Sequence, residues 1–249
     1  MKTVAIIQAR MGSTRLPGKV LRPLCGKTIL AHVIDRVRAS AAIDEIVVAT
    51  TDRPADDPLA ALVPTLGVTL FRGSEDDVLS RYYGAARAAQ ADTVIRITSD
   101  CPLFDGGVLR VMLNEFTSRR AHGQALDYLS NTLARTYPRG LDAEIFDFTT
   151  LERTQREAAQ AFEREHVTPY IYGHPERFAL ANHAGVPDLS QLRWTLDTDE
   201  DWRLIEAIYT ALYRPDQLFG TNDVLALLDR QPSLVALNAH IVQKATSHA

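Results

Sequence analysis

The sequence predicts an α/β fold built on a parallel sheet, and three observations point there. Short runs rich in β-branched residues recur at residues 4–8, 45–50, 68–71 and 93–98, and the stretches between them carry helical patterning. Strands that alternate with helices pair in parallel, because each crossover returns the chain to the same end of the sheet. A length of 249 residues, 46% hydrophobic and 23% charged, is enough for one substantial core. No repeat, low-complexity tract or Pro/Gly-rich linker divides it, so residues 1–249 are expected to form a single domain.

Taken in order, Val4-Ala5-Ile6-Ile7 is too brief for a signal-peptide core or a membrane span and reads as a buried first strand. The first helix follows from Ile29, Leu30, Val33, Ile34 and Val37, which share one face, with Thr28 placed near its N-terminus. Beyond Cys101 the pattern loosens. A helix is expected over 106–119, strands over 125–131 and 143–148, and a helix over 149–163 opened by Thr149 or Thr150. Late strands over 178–182 and 192–196 and closing helices over 199–213 and 222–228 complete the reading.

Charge narrows the function. The chain carries a net charge of -4, yet Lys2, Arg10, Arg15, Lys19, Arg22 and Lys27 all precede the first acidic residue, Asp35. Such a local positive field suits a compact anion, and the acidic balance without a basic stripe argues against nucleic acid. The centre of the field is residues 8–19, where Gly12 and Gly18 let backbone N–H groups approach phosphate oxygens and Arg10, Arg15 and Lys19 supply charge. This is a triphosphate-wrapping loop but no ordinary P-loop. Five residues separate the glycines and Val20 follows the lysine, and no G-x-G-x-x-G fingerprint supports a hydride-transfer enzyme.

Ligands of an open parallel sheet bind at the carboxyl ends of its strands, where the 10–19 loop, residues 99–102 and residues 196–199 fall. Asp100 directly follows the strand over 93–98 and stands where a carboxylate holds Mg²⁺ against phosphates, and Asp197 could be a second ligand. Taken singly, Asp100 reads equally well as a turn residue before Pro102, and Asp197 or Asp199 as a helix N-cap. The acidic runs 75–77 and 199–201 are most simply helix-dipole partners, and histidine spacing suggests no zinc site. Cys25 and Cys101 form neither a metal-ligand pair nor a disulfide framework, which fits a reducing cytoplasm.

Six stretches together resemble the cytidylyltransferase family that contains CMP-KDO and CMP-sialate synthetases, most closely its spore coat polysaccharide biosynthesis protein F (SpsF-like) branch. They are residues 6–19, 73–82 (Gly-Ser-Glu-Asp-Asp-Val-Leu-Ser-Arg-Tyr), 96–103 (Arg-Ile-Thr-Ser-Asp-Cys-Pro-Leu), 137–144 (Tyr-Pro-Arg-Gly-Leu-Asp-Ala-Glu), 164–170 (Arg-Glu-His-Val-Thr-Pro-Tyr) and 193–201 (Arg-Trp-Thr-Leu-Asp-Thr-Asp-Glu-Asp). The resemblance implies a three-layer α/β/α nucleotidyltransferase fold, GT-A-like and Rossmann-like, with a mixed, mostly parallel sheet. It implies that Ala9, Arg10, Gly12, Ser13, Arg15 and Lys19 grip CTP, that Gly73, Ser74, Arg81 and Ser99 complete the nucleotide site, and that Asp100 and Asp197 hold Mg²⁺. Arg10, Arg15, Lys19 and Asp100 are the implied catalytic set. Gln8 stands where the sugar-acid synthetases usually show proline, a departure expected to matter little.

For the acceptor, an anionic sugar acid or related small molecule, the candidates are Asn131, Tyr137, Arg139, Asp142, Glu144, Glu165, His166 and Thr168, with Arg139 the best partner for its negative group. A homodimer is implied by the same resemblance, with an excursion around 125–185 serving the acceptor and the interface. A small phosphate or phosphonate acceptor stays open. So does a GT-A glycosyltransferase, whose metal motif Asp197-Thr198-Asp199 matches in form but lies late in the chain.

Overall fold

The computed structural model describes residues 1–13 and 15–243. Its main sheet is built from β1 (Thr3–Gln8), β4 (Glu45–Thr51), β5 (Thr69–Gly73), β6 (Thr93–Thr98), β7 (Tyr128–Ser130), β8 (Glu144–Asp147) and β9 (Leu180–Asn182). A two-stranded hairpin, β2 (Pro23–Leu24) and β3 (Lys27–Thr28), leads into α1 (Ile29–Arg38). The remaining helices are α2 (Asp57–Leu62), α3 (Val78–Ala88), α4 (Gly106–Ala121), α5 (Phe148–Glu157), α6 (Ala161–His166), α7 (Pro169–Tyr172), α8 (Asp199–Leu212) and α9 (Thr221–Arg230).

The strand order is β5-β4-β1-β6-β8-β7-β9. From β5 to β6 neighbouring strands are parallel, and β8 then runs antiparallel to both β6 and β7, so the sheet is mixed and mostly parallel as expected. β1 lies inside the sheet between β4 and β6, and all four of its apolar side chains bury fully on alternating faces. Ala5 and Ile7 join the cluster under α1 and α4, while Val4 and Ile6 join the one under α3 and α5. Each buried Ile or Val contributes about 1.5–3 kcal/mol, and this two-faced burial produces the three layers. A third cluster packs Trp194, Trp202, Ile205 and Tyr209 with α9 and Leu16 of the glycine-bearing loop.

The sequence-based boundaries fail where tertiary contacts override periodicity. The expected helix over 149–163 is broken, because Ala158 adopts an extended conformation and α6 restarts on the reciprocal Gln160–Glu163 cap. Arg164 bonds the freed carbonyls of Gln155 and Ala158, which stabilises the break. Residues 192–196, expected as a strand, form only a single bridge between Arg139 and Arg193. Trp194 N–H donates to Arg139 O at 2.6 Å, and Leu196 N–H donates to Asp100 O at 2.8 Å. This segment therefore stitches the 137–142 loop to the end of β6 rather than extending the sheet.

The stitch needs Gly140. Its φ of 109° is strained for any L side chain, and a Cβ there would lie 2.7 Å from Thr195 N. The Gly140→Ala variant is therefore expected to lose about 3 kcal/mol, read as a lower urea midpoint at unchanged slope.

Candidate active site

Because β1 and β6 pair in register from Thr3↔Thr93 to Gln8↔Thr98, their carboxyl ends release two loops side by side. The loop after β1 folds on itself through Gly18 N–H to Met11 O at 3.1 Å and Leu16 N–H to Ser13 Oγ at 3.2 Å. It is tied down by Met11 N–H to Asp56 Oδ1 at 2.6 Å, and Asp56 is itself buried. Gly18 takes a left-handed φ of 67°, and a single 3-10 turn, Lys19–Leu21, follows. That turn points Lys19 inward.

Between the two loops lies a cleft of about 710 Å³. Ala9, Arg10, Gly12, Ser13, Arg15, Lys19, Arg81, Ser99, Asp100 and Asp197 all line it, so segments far apart in sequence meet on one surface. Gly73 and Ser74 are not among its lining residues, although Glu75, Asp76 and Val78 are. Arg81, almost fully buried, is held by the carbonyl of Ser74, so that residue acts by aiming the arginine. Burial lowers the Arg81 pKa from its very high ordinary value. Gln8 also lines the cleft, with its Oε1 buried and without a hydrogen-bond partner among the described residues.

The electrostatic centre is the Lys19 ammonium. It donates to Asp100 Oδ2 at 2.9 Å, Asp197 Oδ1 at 2.8 Å and Leu196 O at 2.7 Å, which uses all three N–H bonds. Asp197 also meets Arg15 at 3.2 Å and Arg193 at 2.9 Å. Burial works against the Lys19 charge, but the two carboxylates outweigh it and its pKa is raised. Burial alone would raise the Asp100 pKa as well, whereas Lys19 draws it down to about 2. Lys19, expected on the triphosphate, is thus held by the two expected metal ligands.

A second cleft of about 420 Å³ adjoins the first and shares Thr98, Arg139, Asp142 and His166 with it. Glu144 and Thr168 line only this smaller cleft, and Glu165 only the larger. Glu144 is nearly saturated, bonded by Arg96, Tyr128 and Thr168. Asp142 is gripped in a two-pronged pair by Arg135 at 2.6 and 2.8 Å. Arg139 makes no side-chain hydrogen bond or close ion pair among the described residues, and burial lowers its pKa. Burial likewise lowers the His166 pKa, which keeps the ring neutral at pH 7.

Two acceptor candidates sit elsewhere. Asn131 is fully buried and spends its amide on Leu141 O and Ala143 N–H, closing the 131–143 loop. Tyr137 stacks on His183 at 5.8 Å and lines neither cleft. Both are polar residues in a loop, and sequence cannot tell a side chain that closes the loop from one that faces a ligand. Trp194 is in the core.

Sequence reasoning missed a buried network behind Asp197. Asp201, expected as a helix-dipole acid, is fully buried and accepts from Arg193 Nε at 2.8 Å and Nη2 at 3.0 Å. Only the proximity of Arg193 to the 197–201 run hinted at it.

The chain matches the cytidylyltransferase family model over residues 4–214. It belongs to the cytidylyltransferase family. As a cytidylyltransferase it is a CTP-dependent nucleotidyltransferase. It is 39% identical over 237 residues to the spore coat polysaccharide biosynthesis protein SpsF of Bacillus subtilis, covering 91% of this chain and 94% of that one. A solved cytidylyltransferase from Leptospira borgpetersenii superposes with a TM-score of 0.89 at 33% identity, covering 98% and 99% of the two chains. The CMP-2-keto-3-deoxy-manno-octonic acid synthetase complexed with CTP shares the fold, with a TM-score of 0.64 at 19% identity over 85% of this chain and 99% of that one. No described helix of this cytidylyltransferase is long and apolar enough to cross a membrane.

The Lys19 geometry carries a pH signature. A depressed carboxylate pKa stabilises the fold above the unfolded value near 4, and that contribution is lost as pH falls towards about 2. Lys19→Met leaves Asp100 and Asp197 without their shared cation, so stability at pH 7 is expected to fall by about 3 kcal/mol. The gap to the parent narrows as Asp100 protonates. Urea melts at pH 7 and pH 3 check this, and an equal gap at both would contradict it.

Proposed function

We propose that the enzyme transfers CMP from CTP to an anionic sugar acid or related acceptor, with release of pyrophosphate, in the synthesis of a surface polysaccharide. The observation that carries this reading is the pair of joined clefts, one rich in cations, with the Arg139 guanidinium lining both and paired with no side chain among the described residues. In the smaller cleft, Arg96 pairs with Glu144 and Arg135 with Asp142. Those charges cancel. Arg139 is left to meet the negative group of an acceptor, and Thr98, Thr132 and Thr168 can bond its hydroxyls.

An acceptor hydroxyl seated there attacks the α-phosphorus of CTP, forming one P–O bond as the bond to pyrophosphate breaks. Arg10 and Arg15, with the loop backbone, bind and orient the triphosphate, and Arg15 offsets charge on the leaving group. The hydroxyl proton leaves near Asp197, whose carboxylate lines the larger cleft and can accept or relay it.

The residues present suit Mg²⁺. Asp100 and Asp197 already converge on one cation, the Lys19 ammonium, with Leu196 O beside them. Two carboxylates form the usual protein share of a Mg²⁺ shell, and among the described residues no three His, Cys, Asp or Glu side chains gather as a larger one. Asp100 and Asp197 would hold the ion, which when bound polarises the α-phosphoryl group. The four-carbon stem of Lys19 allows its ammonium to turn to phosphate.

Exposed Cys25 and buried Cys101 are both free thiols, which supports a cytoplasmic location. The homodimer rests on the family resemblance, and light scattering tests it.

Pyrophosphate release is expected with CTP and Mg²⁺ in the presence of one sugar acid, and not with UTP, ATP or GTP. Release that depends on a phosphonate instead would move the acceptor class, and tight nucleotide-sugar binding without release would favour a glycosyltransferase. Arg139→Ala is expected to raise KM for the acceptor by about 10- to 100-fold with KM for CTP little changed, the loss of one charge-assisted contact.

A further inference from the structure

We propose that Asn238 and Gln243, on the segment after α9, are positioning residues of the active site, acting through Arg193 and Asp201 to fix the carboxylate of Asp197. The inference rests on the role given to Asp197 above. It concerns a part of the chain that lies beyond residues 4–214, the extent of the family match.

The Asp201 carboxylate receives five N–H donors. Besides Arg193 Nε and Nη2 they are Asn238 Nδ2 at 2.8 Å and the backbone N–H groups of Asp197 at 2.9 Å and Thr198 at 3.1 Å. Capping α8 does not require this many, since Thr198 Oγ1 already accepts from Asp201 N–H at 3.2 Å. What the extra bonds accomplish is to hold the main chain at Asp197 from behind.

The side chain of Asp197 is held by the same group. Arg193 Nη2 is shared between Asp201 Oδ2 and Asp197 Oδ2, so the angle of the guanidinium sets the second carboxylate. That angle is fixed from the C-terminal side. Asn238, almost fully buried, donates both to Asp201 Oδ1 and to Arg193 O at 2.9 Å, and Gln243 Oε1 accepts from Arg193 Nη1 at 2.6 Å. Gln243 also lines the larger cleft.

Anchorage of the segment does not need these contacts. Leu234, Val235 and Leu237 of the preceding 3-10 turn already pack on the α8–α9 cluster. A buried ion pair roughly breaks even against an apolar replacement in stability, whereas its geometry is specific. Displacing a reacting or charge-bearing group by about 1 Å costs as much as 100-fold in rate, and residues that orient ligands from behind are typically worth about 10- to 100-fold.

The test is turnover of CTP in Asn238→Ala and Gln243→Ala, with each change repeated in an Asp197→Asn background and read with excess enzyme. About a tenfold fall in kcat is expected for Asn238→Ala and a severalfold fall for Gln243→Ala, with KM for CTP within about twofold. In the Asp197→Asn background both further losses should vanish, because they act through the missing carboxylate. Parental turnover in both variants, or the same fold-loss with and without Asp197, overturns the proposal. Should Asn238→Ala fail to fold, the exposed Gln243 decides alone on the same criteria. A parent that releases no pyrophosphate from CTP overturns the reading of the site and this proposal together, whereas an active parent with indifferent variants overturns only the proposal.

Discussion

Three acceptor atoms from two distant parts of the chain converge on the Lys19 ammonium, and much of the architecture is arranged to make that possible. Asp100 ends the strand beside β1, while Leu196 and Asp197 arrive after roughly a hundred further residues through the stitched segment 192–196. A bare buried ammonium, or a bare pair of half-buried carboxylates, would be costly. Each makes the other tolerable, so a centre of high charge density can exist within a folded protein.

The fold supports this centre by burial on both faces of the sheet. Val4, Ala5, Ile6 and Ile7 fix β1 between two layers of helices, which leaves its carboxyl end and that of β6 no freedom to separate. The loop after β1 is then held by short-range bonds and by the buried Asp56, so Gly18, with its left-handed φ, serves turn geometry and not mobility. Rigid supports of this kind are what electrostatic catalysis requires, because donors that must reorganise lose their advantage.

Much of this was legible in the sequence, for physical reasons that differ from residue to residue. The apolar run 4–7 and the heptad-like face of α1 report burial directly, and both elements formed as read. Asp100, taken singly, reads equally well as a turn residue before Pro102, because its contact with Lys19 spans 81 positions and is a tertiary fact. The break at Ala158 was not legible, since Arg164, which bonds the freed carbonyls, is six residues further on and its pairing is a tertiary fact. Asn131 misled because a buried amide that closes a loop and an exposed one that meets a ligand leave the same trace. The Asp201–Asn238 contact spans 37 positions, and neither residue type announces it.

The reversal of direction at β8 divides the molecule into two workshops with different rules. On the parallel side the floor of the larger cleft is made by strand ends, so its shape is bound to the layering of the whole domain. On the antiparallel side the wall of the smaller cleft is made by the body of β6 and β8, Arg96 facing Glu144, and by loops hung from β7 and β8. The loop between β7 and β8 is also stitched through Arg139 to Trp194, on the segment that carries Leu196 and Asp197 to Lys19. A change of shape in the smaller cleft is thereby transmitted to the charge centre of the larger one, because one loop walls both.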